Sequence, residues 1–188
     1  WVYSLGAGGH DYGEGHGHPS TLAALTVNDR DEAWVREVRW NDSKDTRWIE
    51  ANKRELCAKY RIPLYRWAYD PMQREAAESA GAEVAKGDRM GRAGKVEGRA
   101  QAKRIYFDLD GPGVKEAYAQ AGRVHLIKMA IPGQGFRYVY HRQDDDLMAA
   151  IEDAVYVIDK RGEPPVSKAT IRYVDRPMSA AVGGWKEA

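Results

Sequence analysis

The chain has 188 residues, a formal net charge of +1 and an apolar fraction of 43%, which predicts one domain, or one domain plus a tail, around a real hydrophobic core. This composition excludes a disordered chain. No apolar run approaches the roughly 20 residues that a membrane-spanning helix needs. The single cysteine, Cys57, excludes an internal disulfide framework and a cysteine-based zinc cluster, and it is compatible with a reducing cytoplasmic compartment.

The first third of the chain predicts three strands. Residues 1–9 form an apolar run that ends in glycines, residues 20–27 form a second run of buried character, and residues 32–40 alternate in part between apolar and polar side chains. The connections are too short for crossovers, so we expect an antiparallel meander. The chain opens inside the first run without a methionine, which indicates a piece excised from a longer polypeptide.

The middle of the chain changes to alternating helices and strands. Ser43 or Asp45 can cap a helix that runs to about Tyr60. An extended apolar run over 62–69, a short helix over 71–80 that stops at Gly81, and a short strand over 82–86 follow. Such alternation predicts parallel strands joined by right-handed crossovers. The fold class is therefore α/β, with a mixed sheet whose first three strands are antiparallel and whose later strands are parallel, and with helices on both faces.

The sequence after residue 113 predicts fewer strands than the first third of the chain. The sequence indicates a helix over 114–121, a strand over 123–129, a loop over 131–140 and a helix over 144–159. A tail follows that contains one possible strand, residues 169–174. The domain organisation that we expect is one folded domain over residues 1–160 and a C-terminal tail over 161–188.

Two carboxylates close apolar strands. Asp11 ends the first strand beside glycines, which could let a substrate backbone approach a bound metal ion. Asp70 ends the run over 62–69, and sites in α/β sheets collect beyond the carboxyl ends of strands. The structural alternatives are a turn aspartate that bonds its own backbone at Asp11 and a loop aspartate before Pro71.

A third acidic group, Asp144-Asp145-Asp146, opens the late helix. The helix dipole alone favours acids there, but three adjacent negative charges are costly unless a cation offsets them. Asp153 lies two turns further along the same helix. Carboxylates on three separate elements are what two-metal phosphodiester hydrolysis requires, with two Mg²⁺ or Mn²⁺ ions held by hard oxygen ligands.

Histidines and basic residues supply weaker signals. His16 and His18 flank one glycine, but a solvated turn explains them and zinc would lack a third ligand; a direct catalytic role for His10 stays open. The stretch over 86–104 is basic and could track a phosphate backbone, or it could be a solvated helix face. The candidate DNA-binding residues of this stretch are Lys86, Arg89, Arg92, Lys95 and Arg99.

Over roughly Val2 to Asp159, the chain resembles the C-terminal nuclease domain of the large terminase subunits of tailed phages, which has an RNase H-like fold. The resemblance lies in Gly9-His10-Asp11-Tyr12-Gly13, in Tyr69-Asp70-Pro71, and in the late helix Asp145-Asp146-Leu147-Met148-Ala149-Ala150, which leads to Ala154-Val155-Tyr156. Family members carry Asp-Asp-His-Leu-Met-Asp-Ala in that helix. Here Asp146 stands in place of the histidine and Ala149 in place of the usual catalytic aspartate, so Asp145, Asp146 or Asp153 would supply the third ligand.

The resemblance implies a Mg²⁺- or Mn²⁺-dependent endonuclease that cuts concatemeric double-stranded DNA during genome packaging, in the host cytoplasm. Its implied partners are a terminase ATPase motor, a small terminase subunit and a portal; no P-loop motif of the ATPase half occurs in these residues. Another RNase H-like nuclease of the junction-resolvase or integrase type stays an alternative, as does a DNA-binding or assembly module that has lost its site. The catalytic and metal-binding residues that we expect are Asp11, Asp70, Asp145 and Asp146.

Overall fold

A computed structural model of the chain describes residues 5–11, 18–42, 45–69, 74–79, 81–85, 89–131, 135–141 and 146–161. These residues form a mixed sheet, a separate two-stranded ribbon and flanking helices. The strands are β1 Leu5–Asp11, β2 Ser20–Val27, β3 Ala33–Asn41, β4 Trp67–Tyr69, β5 Glu83–Val84, β6 Ile105–Phe107, β7 His125–Ile131 and β8 Gly135–His141. The α-helices are α1 Thr46–Tyr60, α2 Arg74–Ser79, α3 Arg89–Gln101, α4 Val114–Ala121 and α5 Asp146–Arg161.

The main sheet has the strand order β5-β4-β1-β2-β3-β6. Strands β1, β2 and β3 form an antiparallel meander, and β4, β5 and β6 are parallel to their neighbours in the sheet. The predicted mixed sheet, antiparallel first and parallel later, is confirmed. Among the described ranges, no helix is both long and apolar enough to cross a bilayer.

Both faces of the sheet are covered, because β2 is buried along its whole length. Its alternate side chains enter two different cores. Leu22 and Ala24 lie in the core that α1 closes, whereas Ala23 and Leu25 lie in the core that α3, α4 and α5 close. We call these the α1 face and the α5 face of the sheet. The predicted placement of helices on both faces is confirmed.

Helix α1 begins and ends close to the predicted residues. The Asp45 carboxylate accepts a hydrogen bond from the Arg47 backbone N–H at 2.9 Å, which satisfies a free donor of the first turn. At the other end, Arg61 adopts a left-handed conformation and its N–H bonds the Cys57 carbonyl. Asp45, one of the two predicted caps, is thus the N-cap, while Ser43 lies outside the described residues.

Two predicted elements differ from the structure, and one strand of the structure was not predicted. The run over 62–69 is interrupted by a 3₁₀ turn, Leu64–Arg66, so its strand is only β4. The short strand β6 was not predicted, because its three residues show no periodicity and its pairing with β3 defines it. The predicted loop over 131–140 is wrong over most of its length, since β8 pairs with β7 there. The possible strand over 169–174 and the whole tail after Arg161 lie outside the described residues.

The glycines of β1 serve helix packing. A Cβ atom on Gly9 would lie 1.8 Å from the Ala150 carbonyl oxygen of α5, and one on Gly8 would lie 2.1 Å from the Trp67 ring. The expectation that glycines before Asp11 leave room for a substrate is therefore wrong at these two positions. They instead let α5 and Trp67 approach the strand closely from opposite faces.

Candidate active site

Asp11 is the last residue of β1, and its register partner in β2 is Thr21. Ala7 lies in the core of the α5 face and Gly9 lies against α5. Because strand side chains alternate, Asp11 is directed to that same face. It is half-buried, at the last position of the strand.

Thr21 joins this strand end to the start of α5. The Thr21 side chain is fully buried, and its Oγ1 donates a hydrogen bond to the Asp146 carbonyl oxygen at 3.0 Å. Since Thr21 pairs with Asp11 on one side and bonds Asp146 on the other, two of the predicted site residues lie at one corner of the sheet. We call this region the β1–α5 corner.

Two further contacts fix the first turn of α5. The Leu147 backbone N–H donates to Gln120 Oε1 of α4 at 2.9 Å, which satisfies one of the free N–H groups at this helix start. His18 Nδ1 lies 2.9 Å from Asp146 Oδ1. The Asp146 side chain is 15% exposed and sits in the first turn, where the helix dipole stabilises a negative charge.

His18 and Thr21 both contact Asp146, and the sequence analysis assigned neither of them to a site with that residue. His18 was read as part of a solvated glycine and histidine turn, and its side chain is indeed 57% exposed. Its partner Asp146 is 128 positions away in the sequence, so no local sequence motif could predict the contact. The only sequence signal was that a histidine and a threonine closely follow a candidate ligand strand.

His10 lies on the opposite face from Asp11. It is 1% exposed, its ring meets the Tyr69 ring edge to face at 5.4 Å, and it pairs with Tyr69 across β1 and β4. Burial, together with the positive charge of Lys53, lowers the pKa of His10 to about 3. The imidazole is therefore neutral at pH 7 and belongs to the α1 face, which does not support a direct catalytic role.

A buried lysine anchors the end of β4. Lys53 of α1 is 4% exposed, and its Nζ donates to Glu50 Oε1 at 2.6 Å and to the Tyr69 hydroxyl. Burial lowers the pKa of Lys53, but its hydrogen bonds to Glu50 and Tyr69 outweigh that effect and raise the pKa above its usual value. The charged lysine thus ties α1 to Tyr69, the residue directly before Asp70 in the sequence.

Asp70 and Asp145 lie outside the described residues. Within the part of the chain that the structure describes, no group of three or more histidine, cysteine, aspartate or glutamate side chains could hold a metal ion. Of the four predicted ligands, that part brings Asp11 and Asp146 to the β1–α5 corner. Ala149, in place of the family's aspartate, is 6% exposed and contributes no donor.

Asp153, the alternative third ligand, serves a different role. It is 1% exposed, and its Oδ1 lies 2.9 Å from Nε of Arg92, which is itself buried. The ion pair joins α5 to α3 inside the protein. A carboxylate that neutralises a buried guanidinium is a structural partner, so the described structure favours Asp146 over Asp153.

The basic stretch is only partly exposed. Arg92 is 6% and Arg99 8% exposed; Arg99 Nε bonds Asp159 at 2.8 Å, and its Nη2 bonds Asp31 at 3.0 Å. These two arginines face the protein interior, unlike the solvent-facing stretch that the sequence suggested. Lys95 is half-buried, with Nζ 5.0 Å from the centre of the Tyr156 ring. Lys86 and the Arg89 side chain lie outside the described residues.

The strand order β5-β4-β1-β2-β3, with an antiparallel meander next to parallel strands and a late helix across β1, defines an RNase H-like fold. Comparison with solved structures finds this arrangement in phage terminases. The chain is similar to the large terminase nuclease domain of Thermus phage P74-26, with a TM-score of 0.57 and 10% identity over 87% of this chain and 85% of that one.

Two more structures are similar. The large terminase nuclease of thermophilic phage G20c, solved with bound magnesium, gives a TM-score of 0.58 and 14% identity over 81% of this chain and 80% of that one. The large terminase of bacteriophage HK97 gives 0.58 and 12% over 82% of this chain, but 40% of its own length. No protein-family model and no curated protein sequence matches the chain. The resemblance to terminase nuclease domains is confirmed at the level of the fold.

Proposed function

We propose that this chain is a divalent-metal-dependent endonuclease that cuts double-stranded DNA during phage genome packaging. The observation that carries the proposal is the β1–α5 corner, where Thr21 lies between Asp11 at the end of β1 and Asp146 at the start of α5. Two acids from elements far apart in the sequence are both neighbours of Thr21 there, in a fold that phage terminase nuclease domains share.

The register of β4 supports Asp70 as the third member of this site. Gly9 pairs with Ala68 and His10 pairs with Tyr69 in the parallel ladder. Ala68 belongs to a buried cluster with Val157 of α5, so it lies on the α5 face. We therefore propose that the β1–β4 pairing and the alternation of side chains continue for one more residue, which would place Asp70 beside Asp11 on that face. Asp145, which precedes Asp146, is the fourth proposed ligand.

The chemistry of these donors fits Mg²⁺ or Mn²⁺, because both ions prefer carboxylate oxygens. Two such ions, when bound, supply stabilisation of the attacking and leaving oxygens of the phosphodiester. The protein's part is to hold Asp11 half-buried at the end of β1, and to fix Asp146. Thr21 fixes the Asp146 backbone, and His18 orients its carboxylate.

The substrate and partners follow from the same proposal. We propose concatemeric double-stranded DNA as the substrate, with Lys86, Arg89 and Lys95 as the residues of the basic stretch that could meet phosphates. A terminase ATPase, a small terminase subunit and a portal would be the partners. The domain would then act in the cytoplasm of the infected host, where packaging takes place.

Plasmid cleavage with Mn²⁺ tests the proposal. Asp11→Asn and Asp70→Asn should each lower the rate at least about a hundredfold, because metal ligands support several kcal/mol of transition-state stabilisation. Asp29→Asn is the matched control, since Asp29 is exposed and follows the far end of β2. Thermal unfolding of each variant checks that the fold persists. The proposal fails if the purified protein does not cut, or if both site variants cut normally.

A module that binds DNA without cutting it is the second candidate, and Ala149 is the observation that favours it. Salt-dependent DNA binding without cleavage in Mg²⁺, Mn²⁺ or Co²⁺ would indicate this function. A junction resolvase is the third candidate, and the cleavage assay with four-way junctions distinguishes it from the other two. A resolvase would cut branched DNA in preference to linear DNA.

A further inference from the structure

Trp40 lies in the same row of the sheet as Asp11. In the ladders, Asp11 pairs with Thr21, and Thr21 pairs with Trp40 on the next strand. Adjacent strands are about 4.8 Å apart, so the backbones of Asp11 and Trp40 are separated by about 10 Å. The Trp40 side chain is 42% exposed, although it is large and apolar.

The Trp40 ring lies on the α5 face, as the Asp11 carboxylate does. Val38, two residues earlier in β3, lies in the core of that face and pairs with Ala23. Alternation from Val38 directs Trp40 to the same side. The ring therefore borders the β1–α5 corner instead of the α1 face.

The backbone of Gly113 lies close to the Trp40 ring. A Cβ atom on Gly113 would lie 2.8 Å from Cζ3 of Trp40, and Gly113 has a φ of +69°, so this position needs glycine for two reasons. Gly113 caps α4, the helix whose Gln120 bonds the first turn of α5. The N-terminus of the helix that supports Asp146 therefore lies against the Trp40 ring, and Trp40 stays 42% exposed.

A single exposed aromatic residue is ordinary on a protein surface. The location and the support distinguish Trp40 from the other exposed aromatic residues in the described ranges. Tyr118 has its ring edge to face with Phe107 at 5.3 Å. Tyr65 precedes β4, at the end of the sheet opposite to Asp11, and is also 42% exposed.

We propose that Trp40 is a DNA-positioning residue, whose exposed ring packs against the deoxyribose and base of the strand that lies over the carboxylates. This inference rests on the proposed nuclease function. A distance of about 10 Å corresponds to roughly three base-pair rises along the axis of a DNA duplex, so the ring can contact the strand close to the phosphate being cut. A ring that is already held loses little conformational entropy on binding.

The test measures DNA binding and cleavage separately. Affinity for a fluorescent duplex is measured in Ca²⁺, and KM and kcat for cleavage are measured in Mn²⁺. Trp40→Ala should raise both Kd and KM about tenfold, in line with the loss of one aromatic contact to a nucleotide, while kcat changes less. Trp40→Phe should lie between this variant and the wild type, and Tyr65→Ala, with the same exposure, should match the wild type.

Tryptophan fluorescence gives a readout that a purely structural role would not produce. DNA should quench part of the emission of the wild-type protein, and this part should be missing in Trp40→Phe, which keeps an aromatic ring on Gly113. If thermal melting shows that Trp40→Ala is unfolded, the Trp40→Phe variant replaces it in the binding and cleavage measurements.

The outcomes separate the inference from the proposed function. If the wild type cuts DNA but the Trp40 variants keep its Kd, KM and quenching, the inference alone is overturned. If the wild type does not cut but binds DNA in a manner that depends on Trp40, the inference stands and the nuclease assignment fails. A wild-type protein that does not bind the duplex overturns the inference.

Discussion

Thr21 and Asp146 are 125 positions apart in the sequence and are joined by a part-buried hydrogen bond, from the Thr21 hydroxyl to the Asp146 carbonyl oxygen at 3.0 Å. The bond fixes the first residue of α5 against the second strand of the sheet. Asp11, the register partner of Thr21, is held by the same strand pair. The relative position of the two candidate ligands therefore depends on a residue that is not itself a ligand.

Removing this hydroxyl should loosen the site without dismantling the fold. Thr21→Val keeps the branched shape but leaves the Asp146 carbonyl without this donor, which should cost about 1 kcal/mol in the free energy of unfolding. The Mn²⁺ concentration for half-maximal cleavage should also rise. Urea unfolding and a Mn²⁺ titration measure the two effects. Thr21→Ser, which keeps the hydroxyl, is the control, and equal behaviour of the two variants would contradict the role of the bond.

The sequence predicted where strands end better than it predicted the contacts between residues that are distant in the sequence. Asp11 could be recognised because an apolar run stops close to it, and β2 because its centre, Leu22 to Leu25, is apolar. Contacts such as that of His18 with Asp146 depend on tertiary structure, and no local pattern encodes them. The strand β6 is defined by its pairing with β3, and a three-residue segment has no periodicity to detect.

Gly9→Ala should destabilise the protein strongly. The added Cβ would lie 1.8 Å from the Ala150 carbonyl oxygen, so α5 must move away from β1, at a cost of about 3 kcal/mol. Gly98→Ala is a matched control, because no atom outside its own helix lies within 4 Å of the new methyl group. In the interior of α3 that change should stabilise by about 0.5–1 kcal/mol. Denaturant unfolding checks both, and a Gly9→Ala protein of wild-type stability would contradict the close packing.

Glu37 should make stability depend on pH in the acid range. It is 3% exposed and bonds Arg39 Nε at 2.7 Å, Lys59 Nζ at 2.7 Å and the Tyr60 hydroxyl at 2.9 Å. Burial raises the pKa of Glu37, but the hydrogen bonds from Lys59, Arg39 and Tyr60 lower it more, so the pKa lies below its usual value of 4.5. The stabilisation is present above pH 4.5 and is lost as the pH falls through the lowered pKa.

Glu37→Gln should therefore cost about 2 kcal/mol at pH 7, because it removes the charge from hydrogen bonds to cationic partners. The difference in unfolding free energy between this variant and the wild type should shrink as the pH falls below 4.5. Glu55→Gln, at the exposed carboxylate that also bonds Arg39, should have a much smaller effect. A difference that stays constant from pH 7 to pH 3 would show that the Glu37 charge does not contribute.

The composition of the basic stretch over 86–104 does not determine which of its side chains are exposed. The sequence gives the number of positive charges over 86–104, but not the side of the helix on which each one lies. Arg92, Val96 and Arg99 are all buried, and their spacing of four and three residues places them on one helical stripe. That spacing was the available signal that these arginines belong to the interior of the protein. Their acidic partners Asp31, Asp153 and Asp159 are distant in the sequence and could not be assigned.

Arg92 and Asp153 should behave as a coupled buried pair. Arg92→Met leaves the Asp153 carboxylate buried without its cationic partner, and should cost about 3 kcal/mol in unfolding free energy; Asp153→Leu should cost a similar amount. The double variant should recover most of that loss, because two apolar side chains replace two desolvated charges. A double-mutant cycle by denaturant unfolding measures the coupling. Duplex affinity of the double variant should match the wild type, and a stable Arg92→Met protein with much weaker DNA binding would instead identify Arg92 as a DNA contact.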